Sequence, residues 1–159
     1  MRSLEQWLDA YGESHQNSTN QKIHTFAVPG IFFSIVALIW SLPSLPLPVL
    51  SLPLPVLSLP LPVLSLNWVW IAALPVWWFY YRLSLSVFLM MLGYTLASIA
   101  LAWSVELLGM PLAEMAVGLF IVLWIFQFVG HKIEGKKPSF FEDLKFLLIG
   151  PVWVFMRHK

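Results

Sequence analysis

From Leu85 to Val105 the chain carries no charged residue. A helix of about 20 apolar residues crosses the hydrocarbon core of a bilayer. Lipid tolerates only structures that satisfy their own backbone hydrogen bonds, so this one segment commits the chain to a membrane helix. The composition agrees: of 159 residues, 59% are hydrophobic and 11% charged, against about 25% charged in soluble domains. Apolar side chains this abundant exclude disorder. The length is that of one integral membrane domain, residues 1–159.

Three further apolar segments, Phe26 to Leu42, Asn67 to Tyr81 and Met115 to Val129, complete a predicted all-α polytopic membrane helix bundle of about four spans. Amphipathic helices flank it. Ser3 with Gln6 predicts a capping box, opening a short helix in which Leu4, Trp7, Leu8 and Tyr11 fall at i, i+3, i+4 and i+7. Gly12 ends it and Glu13 to Gln21 is polar, so residues 1–25 read as an amphipathic and polar segment without a secretory signal. At the other end Phe140 to Met156 is apolar but carries Glu142, Asp143 and Lys145 early and Gly150-Pro151 late. It reads as interfacial or partly re-entrant.

Residues 46–66 are three perfect copies of PLPVLSL, and seven of the twelve prolines lie between Pro43 and Pro62. The tract is apolar enough to pass for a span, yet each proline removes a backbone donor and obstructs a helix. An irregular or polyproline-II-like connector is expected there. Repeats without a substitution indicate a local duplication inserted in a loop, with no chemistry of its own.

The scarce charges predict topology. All nine Lys and Arg fall before the first span (Arg2, Lys22), at the second-to-third turn (Arg82) or after the fourth (Lys132 onward), while residues 43–66 and 106–114 carry none. The positive-inside rule then puts both termini in the cytoplasm, of a bacterial inner membrane or of the endoplasmic reticulum in a eukaryote. A net charge of +1 leaves no basic field for nucleic acid, and the absence of cysteine excludes disulfides, thiolate metal sites and cysteine nucleophiles.

This topology gathers His15, His24 and His131 at one membrane boundary. Asn20 and His24 are four apart, His131 and Glu134 three apart, and Gln127 lies one turn before His131. Imidazoles with one carboxylate and no thiol are the ligand chemistry of non-haem iron or zinc. Gln127 could orient a ligand or bound water. The plainer readings are a solvated His15, a surface pair of Glu134 with Lys132 or Lys137, and a solvated terminal His158. Ser34, Ser98 and Ser104 would satisfy helix carbonyls or line helix contacts.

Tyr11, His15-Gln16-Asn17, Asn20, His24 and Val28-Pro29-Gly30 resemble the amino-terminal signature of the small membrane 2-hydroxy-fatty-acid dioxygenases. The second signature resembles theirs too: Trp124, Gln127-Phe128-Val129-Gly130-His131, Glu134, Pro138 and Gly150-Pro151. The likeness covers the chain apart from the repeat, with Ser139 standing where alanine is expected. It implies an Fe(II)-dependent dioxygenase that cleaves 2-hydroxy fatty acids between C1 and C2, consuming O2 and releasing CO2 and a fatty acid one carbon shorter. It further implies His15, His24 and His131 as iron ligands, Glu134 as a further ligand or base, and Asn20 and Gln127 as groups supporting them. A 2-hydroxy carboxylate can chelate iron and leave a position for O2, with Lys22 or Lys132 attracting the carboxylate and the acyl tail between the spans. The partners are then that fatty acid, O2 and the bilayer, with homo-oligomerisation left open. The rivals are a haem electron-transfer protein with His24 and His131 as axial ligands, a zinc hydrolase, and a non-catalytic membrane scaffold.

Overall fold

The structure, a computed structural model, describes residues 2–46, 65–141 and 143–156. Among them are six helices: α1 (Leu4–Gly12), α2 (Ser18–Trp40), α3 (Trp68–Leu83), α4 (Leu85–Leu107), α5 (Leu112–Glu134) and α6 (Phe146–Met156). A 3-10 turn covers Ser139–Phe141. His158 and residues 47–64 of the repeat lie outside the described residues.

Local chemistry accounts for the boundaries. Ser3 caps α1 by the expected capping box, its hydroxyl accepting from the Gln6 N–H while the Gln6 side chain accepts from the Ser3 N–H. α2 begins eight residues before the expected Phe26, because Asn17 caps it: the Asn17 carboxamide oxygen accepts from the N–H groups of Thr19 and Asn20. The polar residues 18–25 therefore become the first two turns of a helix. α5 ends immediately after Glu134, where Gly135 takes φ 73° and donates its N–H to the His131 carbonyl.

α2 is the axis of the bundle. It packs antiparallel to α5 along its length: the His24 and His131 rings meet at one end, Leu123 fills the space over Gly30 in the middle, and Ala37 meets Leu112 and Ala116 at the other. A Cβ at Gly30 would collide with Leu123, so glycine there permits the close approach. α4 lies along another side of α2, where the Tyr94 hydroxyl donates to the Pro29 carbonyl. α3 pairs with α4 and meets α2 through Val36, Val69 and Ile99. α1 and α6 close the histidine end through Trp7, Tyr11, Phe146 and Ile149.

α2, α4 and α5, each 23 residues, are long and apolar enough to cross a membrane. α3 has 16 residues, about 24 Å of helix and short of the roughly 30 Å core. The structure thus holds three full-length candidate spans and a shorter fourth helix packed beside them. α6, with 11 residues, is too short to cross. The two ends of the repeat meet: Leu45–Pro46 pairs antiparallel with Ser65–Leu66 at the end of the bundle opposite the histidines. The tract therefore leaves and rejoins the bundle at one place.

Candidate metal centre

His15, His24 and His131 come from three places, the loop after α1, the second turn of α2 and the last turn of α5. They are 1%, 0% and 5% exposed. Their centroids are 4.4 to 4.9 Å apart and each pair of rings is nearly perpendicular. One ligand nitrogen from each falls within 4.8 Å of the others.

The backbone sets the tautomers of two rings. His15 Nδ1 lies 2.6 Å from the Tyr11 carbonyl and His24 Nδ1 lies 2.9 Å from the Asn20 carbonyl. Carbonyls only accept, so both Nδ1 atoms carry the hydrogen and both Nε2 atoms present lone pairs. His24 Nε2 and His131 Nδ1 are buried without a hydrogen-bond partner. Buried polar atoms are rarely left so, and a metal ion is a partner that imidazole nitrogens take. A carbonyl holding the far nitrogen of a ligating histidine is the usual support in metal sites.

The residues around the rings are packed to hold them. Tyr11 stacks on His15 at 4.1 Å between centroids, with 10° between the planes. Burial pushes the Tyr11 phenol above its ordinary range, so it remains a hydrogen-bond donor. Asn20 is fully buried and donates to the Ser14 carbonyl and to Glu134. A Cβ at Gly130 would collide with Asn20 Oδ1 and stand 3.5 Å from His24 Cε1, so only glycine lets α5 close on α2 here.

Glu134 works as a clamp. Its carboxylate accepts from the N–H of Gln16 (2.8 Å), the N–H of Asn17 (2.9 Å) and Asn20 Nδ2 (3.0 Å). Both oxygens are engaged, and the carboxylate is not one of the clustered donors. It joins the end of α5 to the start of α2, one residue beyond His15. Lys22 and Lys132 are exposed, and neither lines the cavity described below. Lys22 sits two positions from both Asn20 and His24, about 200° round the helix, and Lys132 is about 100° from His131. The structure therefore places neither lysine among the groups that line the cavity.

A cavity of about 230 Å³ opens from the histidines. His15 and His131 line it with Tyr11, Gln127 and Ser139, and its walls then follow α2 through Val28, Ile31, Phe32, Ile35, Val36 and Ile39. Those spacings are one helical face. Gln127, 7% exposed, is the amide at the polar end. Ser139 brings a second hydroxyl into play, 2.5 Å from Ser14 Oγ, which lies 3.1 Å from His15 Nδ1. Tyr11, Ser14 and Ser139 were given no role by spacing. Tyr11 stands one turn before His15, which is the signal that could have marked it.

The family model described as 2-hydroxy-palmitic acid dioxygenase Mpo1-like matches residues 1–158. No curated protein and no solved structure matches the chain.

Proposed function

Since the chain belongs to the 2-hydroxy-palmitic acid dioxygenase Mpo1-like family, we propose that it cleaves 2-hydroxy fatty acids oxidatively between C1 and C2. The observation that carries this reading is a cluster of three buried imidazoles beside the polar end of an apolar cavity. His15 and His24 through Nε2 and His131 through Nδ1 would hold Fe(II). Iron, when bound, supplies Lewis acidity and the activation of O2. The balance is one 2-hydroxy acid and one O2 giving CO2, water and the acid one carbon shorter.

The chain's own residues bind, orient and exclude water. Tyr11, Gln127 and Ser139 line the cavity beside the histidines and offer neutral donors to the carboxylate and hydroxyl, the task first expected of Lys22 and Lys132. Asn20 and Glu134 hold the two helices that carry His24 and His131 at a set distance and act as positioning residues. The acyl tail lies along the α2 face. Val28 to Ile39 covers about 16 Å of helix axis, close to the half-bilayer depth of about 15 Å that one lipid tail fills. Ile35 and Leu147 line the cavity while 39% and 40% exposed, so a tail can slide in sideways from the membrane.

The test pairs metal analysis with 2-hydroxypalmitate assays in air and under nitrogen. Iron-loaded protein is expected to form pentadecanoate only in air. Zinc with activity under nitrogen would indicate a hydrolase, and a Soret band without O2 uptake a haem protein. The latter is disfavoured by geometry: a macrocycle between any two rings would pass through the third, 4.4 to 4.9 Å away.

We also propose the orientation read from charge, both termini on the cytoplasmic side. The chain has no cysteine, so single cysteines report cleanly. With an impermeant maleimide on intact cells, Ser44→Cys should label and Ser3→Cys should label only after lysis; the reverse pattern would overturn it.

A further inference from the structure

We infer that the far end of the cavity is a chain-length stop, set on α3 by Val69 and Ala73. The inference rests on the reading that the cavity holds a 2-hydroxy fatty acid.

α3 supplies the wall facing α2 with Val69, Ala72, Ala73, Val76 and Trp77, again one helical face by spacing. α3 runs antiparallel to α2, so Trp77 is nearer the histidines and Val69 farther. The far end is closed: Val36 and Val69, both lining residues, pack with Ile99 in a buried cluster covered by Phe32, Ile39 and Trp40. Val69 is 2% exposed. A straight tail with its carboxylate at the histidines would meet this wall, and a longer one would lose its fit or be forced out past Ile35. One turn before the wall the α3 side chain is a methyl group, at Ala73, itself buried. That is where the cavity keeps its width. Filling it shortens the cavity by one turn, about 5.4 Å or roughly four methylenes. Trimming Val69 deepens it.

Length preference follows because each methylene denied burial costs roughly fourfold in binding. Ala73→Phe should move the best substrate to a shorter acid and raise the 2-hydroxylaurate to 2-hydroxypalmitate ratio of kcat/KM about tenfold or more. Val69→Ala should move it the other way, favouring 2-hydroxystearate. The iron-loaded full chain in detergent is assayed in air with saturated 2-hydroxy acids of graded length. Under nitrogen, binding is read from quenching by acids of graded length brominated at one fixed mid-chain carbon, taken as the part lost in Trp77→Phe. Opposite shifts in the two variants support the stop. Turnover by the wild type with the same length profile in both variants overturns it, and if Ala73→Phe does not fold, an unshifted Val69→Ala does so alone. If the wild type turns over no acid, the dioxygenase reading fails while quenching still decides: length-dependent binding that shifts in the variants upholds the stop, and unshifted binding overturns it.

Discussion

The two ends of the bundle are built from the same apolar helices but are joined differently. At the histidine end, Glu134 takes three N–H donors, Asn20 reaches Ser14 and Glu134, Lys136 Nζ donates to the Glu13 carbonyl, and Ser14 meets Ser139. At the remote end, Trp40 donates to Glu106, Asn67 to the Trp40 carbonyl and Trp68 to the Pro43 carbonyl. The first set ties loop, α2, α5 and the 3-10 turn around one point. The second joins neighbouring helix ends and leaves the PLPVLSL tract attached through a two-residue ladder. Apolar packing alone positions helices with some slack, whereas directional hydrogen bonds fix where a ring nitrogen points. The contrast puts the directional polar contacts around the three histidines and the PLPVLSL tract at the other end of the bundle.

The largest test of this contrast is ligand removal. His24→Ala and His131→Ala should each abolish bound iron and turnover, beyond the roughly 10- to 100-fold that losing an outer support costs. Metal-to-protein ratios check it, and full iron occupancy in either variant would break the assignment. Gly130→Ala comes next. Its methyl group must displace the Asn20 carboxamide, which braces Ser14 and Glu134 beside the rings, so metal affinity should fall about 10- to 100-fold, as measured by competition with a chelator. Glu134→Ala should lower stability by about 1 to 3 kcal/mol through the donors it leaves unsatisfied, read by thermal unfolding. If Glu134 is a clamp, Glu134→Gln keeps full iron while Tm falls; if it is a ligand, iron is lost first. The smallest effects belong to the remote end. Trp40→Phe should cost about 0.5 to 1.5 kcal/mol with unchanged iron content, and deletion of residues 46–66 should change turnover less than twofold. A folded but inactive deletion would show that the two ends are coupled after all.

Particular residues show what a reader of the chain could find. The α1 capping box was legible because Ser3 and Gln6 interact within one turn. The spans were legible because hydropathy is a sum over neighbours in sequence. The three histidines could be singled out because charge placement puts them at one depth. The start of α2 is not legible in the apolar run, which begins at Phe26, while the helix begins eight residues earlier at Ser18, behind the Asn17 cap. Lys22 and Lys132 stand out in the sequence by charge and depth, but depth says nothing about azimuth, and in the structure both are exposed and outside the cavity lining. Glu134 stands out as an acid three residues from His131, whereas the backbone N–H groups it accepts from, those of Gln16 and Asn17, lie more than a hundred residues away.

The sequence by itself determined that the chain is a helical membrane protein whose lysines, arginines and histidines gather at one boundary, because lipid imposes length and backbone satisfaction on every segment separately. Only the tertiary structure decided which of those polar residues share a point, which brace it, and that an apolar cavity ends against Val69. Those facts depend on the rotation of each helix about its axis and on contacts such as Gly130 against Asn20. Both are set by packing between segments, on which the local apolar pattern is silent.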